Sequence, residues 1–105
     1  MATEFQKKVY SLCKKIPEGK VSTYKEIATA MHTKAYRAVG TALNRNPHAP
    51  KVPCHRVVNS DGRIGGFSKG KSQKKMMLEK EGVRIKKGRI SDLSGRLITS
   101  ENLRI

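Results

Sequence analysis

The stretch STYKEIATAMHTKAYRAVGTALN, residues 22–44, decides how the rest of the chain is read. Thr23 and Glu26 have the T-x-x-E spacing of a capping box, so a helix starts there. Ile27, Ala28 and Met31 supply its apolar face. After the short connection HTK, a second helix is expected over 35–44, with Ala35, Val39, Ala42 and Leu43 turned inward. Two short helices joined by a tight turn, the second with a basic residue in its first turn, form the pattern of a helix-turn-helix. Arg37 is that residue, at the end such folds direct at DNA.

Upstream, residues 3–16 place Phe5, Val9, Leu12, Cys13 and Ile16 on one helical stripe. Cys13 lies on that stripe and is read as core. PEGK, residues 17–20, stops the helix with a turn. Downstream, residues 44–53 are a proline-rich loop. Arg56, Val57 and Val58, then NSDG, then Arg63 and Ile64 predict a β-hairpin turning at Asp61-Gly62, a candidate wing. GGFSKGKS, residues 65–72, is a basic glycine-rich loop. A last helix is expected over 72–81, ending at the C′ glycine Gly82. The tail supports at most short strands. The fold class is therefore mainly α with a small β-hairpin, a single winged helix-turn-helix-like domain over 1–105.

Composition narrows the partner. Lys and Arg number 23 against 8 Asp and Glu among 105 residues, a formal charge of +15, where small domains usually keep about 2–8. This charge suits nucleic acid better than a merely solvated surface. Membrane-surface binding is weaker still, since no long helix pairs a basic face with a strong apolar one. No apolar run is long enough to span a bilayer, and MATEFQKKVY lacks a signal-peptide core. The expectation is an intracellular protein, cytoplasmic or nuclear, whose two cysteines stay reduced.

VPCHRVVNSDGRIGGF, residues 52–67, raises the question of chemistry. Zinc needs converging ligands, but Cys54 and His55 are adjacent and point apart, while Cys13, His32 and His48 show no ligand spacing. No metal is expected. A buried structural cysteine explains Cys54 but not the His-Arg that follows it. A nucleophile explains more: a thiol needs a base to react at neutral pH. His55 can take the proton, through a water because neighbouring side chains diverge. The imidazole then needs an acceptor on its second nitrogen. Glu81 is the candidate, at a helix C-terminus where negative charge is disfavoured. A solvated ion pair with Lys75, Lys80 or Arg84 explains Glu81 equally well.

At this point the blocks VPCHRVV, GRIGGF and LEKEGV, with FQKKVYSLCKKIPEGKVSTYKEIA and RAVGTALNRNP before them, resemble the active-site and DNA-binding domain of the 6-O-alkylguanine-DNA alkyltransferases. The resemblance thins after about Lys87. It implies direct repair: an alkylated guanine is flipped out of the duplex and its alkyl group passes to a cysteine, once and without a cofactor. By this resemblance Cys54 is the acceptor, His55 the base through water and Glu81 its partner. Tyr24 bonds the guanine ring, Asn46 braces the turn behind the nucleophile, and Arg37 fills the gap the base leaves. Ser68 presents a backbone N–H to the guanine oxygen. The carbonyls of Cys54 and Val57 accept from its amino group. Arg56, Gly65 and Gly66 are expected on the DNA-binding side. The implied partner is duplex DNA carrying 6-O-alkylguanine, met by a monomer.

Three departures stand out. Most members carry a further N-terminal domain that has no counterpart here. Phe67 stands where tyrosine is common. Tyr36 precedes Arg37 where a small residue is usual. Two alternatives remain: an alkyltransferase-like protein, a group that binds the lesion and lacks the acceptor cysteine, and a winged-helix regulator, which leaves Pro53-Cys54-His55-Arg56 unexplained.

Overall fold

The computed structural model describes residues 3–45, 52–65 and 70–103. Its first helix, α1 (Glu4–Cys13), opens on a complete capping box. Thr3 Oγ1 accepts from the Gln6 amide at 3.1 Å, and the Gln6 side chain accepts from the Thr3 amide at 3.0 Å. The helix stops short of the expected 3–16 because Pro17 disfavours α geometry in the residue before it. Lys15 and Ile16 finish instead in tight turns on Leu12 and Cys13. Val9, Cys13 and Ile16 are wholly buried, so Cys13 belongs to the core as expected.

Helix α2 (Tyr24–Ala30) is capped by Thr23, whose Oγ1 accepts from the Glu26 amide at 3.0 Å. The second half of the expected box is missing. The Glu26 carboxylate accepts instead from the Ser100 amide at 2.7 Å, far along the chain. Helix α3 (Tyr36–Asn44) follows a turn in which His32 takes φ +58, and Thr33 N–H reaches back to Ala28 O. This closes α2 as a glycine ordinarily would. α3 buries Val39, Ala42 and Leu43 against α1 and α2, while Ala35 is its half-buried N-cap.

The chain between α3 and α4 (Lys71–Lys80) corrects the expected hairpin. A turn does form, with Gly62 N–H on Asn59 O and Asn59 N–H on Arg63 O. Its two arms build no ladder together. Strand β2 (Val57–Val58) pairs in parallel with β1 (Ser22–Thr23), while Arg63 bridges to Arg89. The reason is visible in the residues. Val57 and Val58 are both fully buried, and a strand covered on both faces is a continuous apolar run, whereas a hairpin arm alternates. The small hairpin of this mainly α domain lies later, in β3 (Ile85–Lys86) and β4 (Arg89–Ile90). Lys87 and Gly88 turn it with φ +53 and +77, both positive as a two-residue I′ turn requires.

Adjacent residues of a strand face opposite ways, and β2 uses this to divide two cores. Val57 joins Val9, Cys13, Ile16, Ile27, Val39 and Leu103. Val58 joins Val21, Ile64, Leu78, Val83 and Ile90. The tail, expected to hold little, serves both cores: α5 (Leu93–Arg96) lays Leu93 against the second, and α6 (Ser100–Leu103) closes the first with Leu103. Val21 N–H donates to Arg96 O at 2.9 Å, Ile98 N–H to Val21 O at 2.7 Å, and Ser22 Oγ to Ile98 O at 2.8 Å. Leu103 is fully buried, a contribution of about 1.5–3 kcal/mol for such a side chain.

Candidate active site

The candidate site lies on the seam between the two cores. Just ahead of β2, Pro53 leads into a single 3-10 turn, Cys54–Arg56, with Cys54 N–H on Val52 O at 2.8 Å and Arg56 N–H on Pro53 O at 2.9 Å. Three residues per turn send successive side chains about 120° apart. So Cys54 and His55 diverge, although by a helical turn rather than by the extended chain expected. Among the described residues no hydrogen bond joins the Cys54 thiol to His55. Both residues are buried, Cys54 at 4 % exposure and His55 at 3 %.

Glu81 settles at the end of α4, where it is the C-cap; Gly82 follows with φ +90, and Val83 N–H bonds back to Leu78 O. This Schellman closure fixes the Glu81 backbone next to the 3-10 turn. His55 Nε2 lies 3.0 Å from Glu81 Oε2. Arg56 grips the same carboxylate with two donors, Nη2 at 2.7 Å and Nε at 3.0 Å, and donates Nη1 to Ile16 O at 2.8 Å. Glu81 is therefore neither solvated nor paired with Lys75, Lys80 or Arg84. The Arg56 guanidinium, expected on the DNA-binding side, is taken up by the Ile16 carbonyl and by this carboxylate, a bidentate partner that water does not match.

These contacts set protonation states. Burial would raise the Glu81 carboxyl, but hydrogen bonds and charge from Arg56 and His55 outweigh it and hold the group below the usual carboxylate range. Burial pushes His55 below its ordinary value, against the upward pull of Glu81. His55 is thus neutral near pH 7. An ionised carboxylate only accepts, so the ring proton sits on Nε2 and Nδ1 keeps a free lone pair. That is the tautomer a general base needs. Cys13, by contrast, has its thiol pushed well up by burial and is inert.

Tyr24, first residue of α2, reaches the same place. Burial, then negative charge on Cys54, pushes its hydroxyl up to about 12. Gly65 holds φ +74, and a Cβ there would stand 3.4 Å from the Tyr24 hydroxyl; glycine keeps that approach open. Sequence reasoning missed one residue, Lys74. It is fully buried on α4, donates Nζ to Val57 O at 2.6 Å, and lies 5.9 Å from the Tyr24 ring centroid. Burial lowers it to about 8 despite the favourable charge of Cys54. Its spacing was the available signal: Lys74 stands four residues before Leu78, on the stripe of α4 that faces the core.

A scan against protein-family models matches residues 4–83 to "6-O-methylguanine DNA methyltransferase, DNA binding domain". The chain belongs to this family. A methylated-DNA–protein-cysteine methyltransferase of Methanosarcina barkeri is 49% identical over 80 residues, covering 75% of this chain and 51% of that protein. The crystal structure of Mycobacterium tuberculosis OGT in complex with DNA is 34% identical, with a TM-score of 0.75, over 98% of this chain and 57% of that one. The crystal structure of S. pombe Atl1 in complex with damaged DNA containing O6-carboxymethylguanine is 38% identical, with a TM-score of 0.82, over 94% and 99%. The chain spans about half the length of the curated relatives it matches.

Within this family fold, His55 pairs with Glu81 one residue after Cys54, Gly65 stands against Tyr24, and the Val57 carbonyl already accepts from Lys74. Arg37 stands apart and exposed on α3, beside a hollow of about 530 Å³ that Tyr24 also lines. The assignments to Asn46, Gly66 and Ser68, and the substitution at Phe67, lie outside the described residues.

Proposed function

We propose that this chain repairs alkylated duplex DNA by transferring the alkyl group of 6-O-alkylguanine to Cys54. The observation that carries this is the hydrogen bond to Glu81 from buried His55, which shares a 3-10 turn with Cys54. The guanine is flipped from the duplex, and Arg37 fills its place. A water passes the Cys54 proton to His55 Nδ1, and Glu81 stabilises the imidazolium that forms. The thiolate sulfur attacks the alkyl carbon in line. The C–O bond breaks, its electron pair stays on the guanine, and the Tyr24 hydroxyl supplies the proton that neutralises the ring. Imidazolium returns a proton to the tyrosinate through solvent, so thiol and alkylguanine become thioether and guanine. No cofactor enters that balance. The buried Lys74 charge stabilises the thiolate in a site of low dielectric. The protein acts as a monomer, inside the cell, with duplex DNA as its partner and no membrane.

A second reading is favoured by one observation: Atl1 matches this chain along nearly the whole of both. It makes this chain a lesion binder that transfers nothing. Intact-mass measurement after incubation with duplex DNA carrying 6-O-methylguanine separates the two. The transfer reading requires one added methyl, located on Cys54 and not Cys13, with Cys54→Ser binding the lesion but staying unmodified. An unchanged wild-type mass with tight lesion binding establishes the second reading.

A further inference from the structure

We propose that Tyr36 is a second DNA-opening residue, an aromatic wedge that stacks at the step vacated by the flipped guanine, on the active-site side of Arg37; the proposal rests on the base-flipping reading of this site. Tyr36 is 41 % exposed, and only Met76 joins it as an exposed large hydrophobic among the described residues. It is the first residue of α3, whose N-cap Ala35 makes no side-chain capping bond.

Its position is specific. Tyr36, Gly40 and Asn44 recur every four residues and share one stripe of α3, and all three line the hollow that holds Tyr24. At Gly40 the stripe has no side chain, and a Cβ there would stand 3.9 Å from the Tyr24 ring. The hollow therefore opens between two aromatics, Tyr24 half-buried within it and Tyr36 exposed at its edge. Arg37, one residue on, lines this hollow and also a second, apolar one with Phe5 and Ala38. It stands on the ridge between them. Of these two hollows Tyr36 lines the first and not the second, and so lies on the Tyr24 side of Arg37.

The chemistry follows from what flipping costs. Unstacking a base takes a few kcal/mol, and proteins that open a duplex insert apolar or aromatic side chains between base steps to offset it. An aromatic ring stacked on a base recovers about 1–3 kcal/mol and tolerates any sequence. A guanidinium and a phenol ring on consecutive residues point about 100° apart around a helix. One can fill the gap while the other stacks on its border.

The test is single-turnover methyl transfer from duplex and from the free alkylated base, with fluorescence of a 2-aminopurine placed beside the lesion as a direct report of unstacking. Tyr36→Ala is expected to slow duplex transfer about tenfold, leave the free-base reaction unchanged, and reduce the 2-aminopurine signal. Tyr36→Phe is expected to match wild type, since the ring acts. The proposal is overturned if the alanine variant matches wild type on duplex, if duplex and free base lose equally, or if phenylalanine fails as badly as alanine. A wild type that methylates nothing brings down the transfer reading instead. The 2-aminopurine signal needs no transfer and still decides Tyr36, an unchanged signal in the alanine variant overturning it.

Discussion

The floor of the site and the outer face of α3 are built on opposite plans. On the floor, Cys54, His55 and Lys74 are all but fully buried, and the polar groups of His55, Arg56, Lys74 and Glu81 are held by hydrogen bonds of 2.6 to 3.0 Å. On α3, Tyr36, Arg37 and Thr41 face solvent, and among the described residues no carboxylate pairs with Arg37. Under the proposed repair function, the difference separates two jobs. Electrostatics that must stabilise a thiolate and a leaving base work best when fixed in advance. Groups that meet a phosphate backbone and enter a base stack find their partners only on the DNA.

The strongest way to break this contrast is at Glu81. Glu81→Gln removes the acceptor that sets the His55 tautomer and leaves Arg56 half-buried without its carboxylate. Transfer should fall about a hundredfold, less than the roughly 10⁴ lost by the equivalent change in a serine-protease triad. Chemical denaturation should show a loss of about 3 kcal/mol. A variant that keeps wild-type rates would mean that the floor is structural only. The wild-type pH profile sharpens the same point. Because the folded His55 value lies below the ordinary 6.5, transfer should hold down to that pH and fall only beneath it. Stability should decline there too, because the unfolded histidine takes a proton that the folded one refuses.

Next in size is Lys74. Its folded value of about 8 lies below the ordinary 10.5. Between those values the unfolded chain holds the proton and the folded chain has lost it, so stability rises with pH across that window. The burial penalty is fully present below about 8 and relieved by 10.5. Measured against Lys74→Met, which cancels the opposing alkaline effect of Cys13, wild type should gain about 3 kcal/mol across the window. A difference that does not vary with pH would show that Lys74 is not buried in its charged form.

The exposed face should give smaller and more divided effects. Arg37→Ala should slow duplex transfer about tenfold through lost filling of the stack, and leave reaction with the free alkylated base unchanged. Lys25→Ala, on the same hollow, should lower the salt slope of binding to undamaged duplex by about one without changing transfer. Equal losses from Arg37→Ala on duplex and free base would move that residue from the face to the floor.

The parts legible in the sequence were those set by local rules. The stripes of α1 and α3, the Thr23 cap, the Gly82 closure and the burial of Cys13 all follow from periodicity and capping. The motif around Cys54 also named His55 as a base, while base and acceptor chemistry left Glu81 open and only the family resemblance pointed to it. What was not legible depended on distant pairing. Val57 and Val58 looked like a hairpin arm because the turn after them is a good turn, but they pair with Ser22 and Thr23. Arg56 looked like one more cation among 23, and only the approach of α4 gives it a carboxylate. Lys74 was hidden by composition, since one buried lysine on a basic helix is marked by its register alone.

The tail's grip on β1 sets a clock on the making of this protein. Ser22 is tied to Ile98, a separation of 76 residues, and the strand that leads into Tyr24 has the tail on one side and β2 on the other. At a synthesis rate of about 5–20 residues per second, roughly 4 to 15 s pass between the two. Through that interval the apolar face later sealed by Leu103 is open to water, and Val21 has no tail to bond. Residues 22–58 are thus all translated before the tail that pairs with β1 can close the core over them.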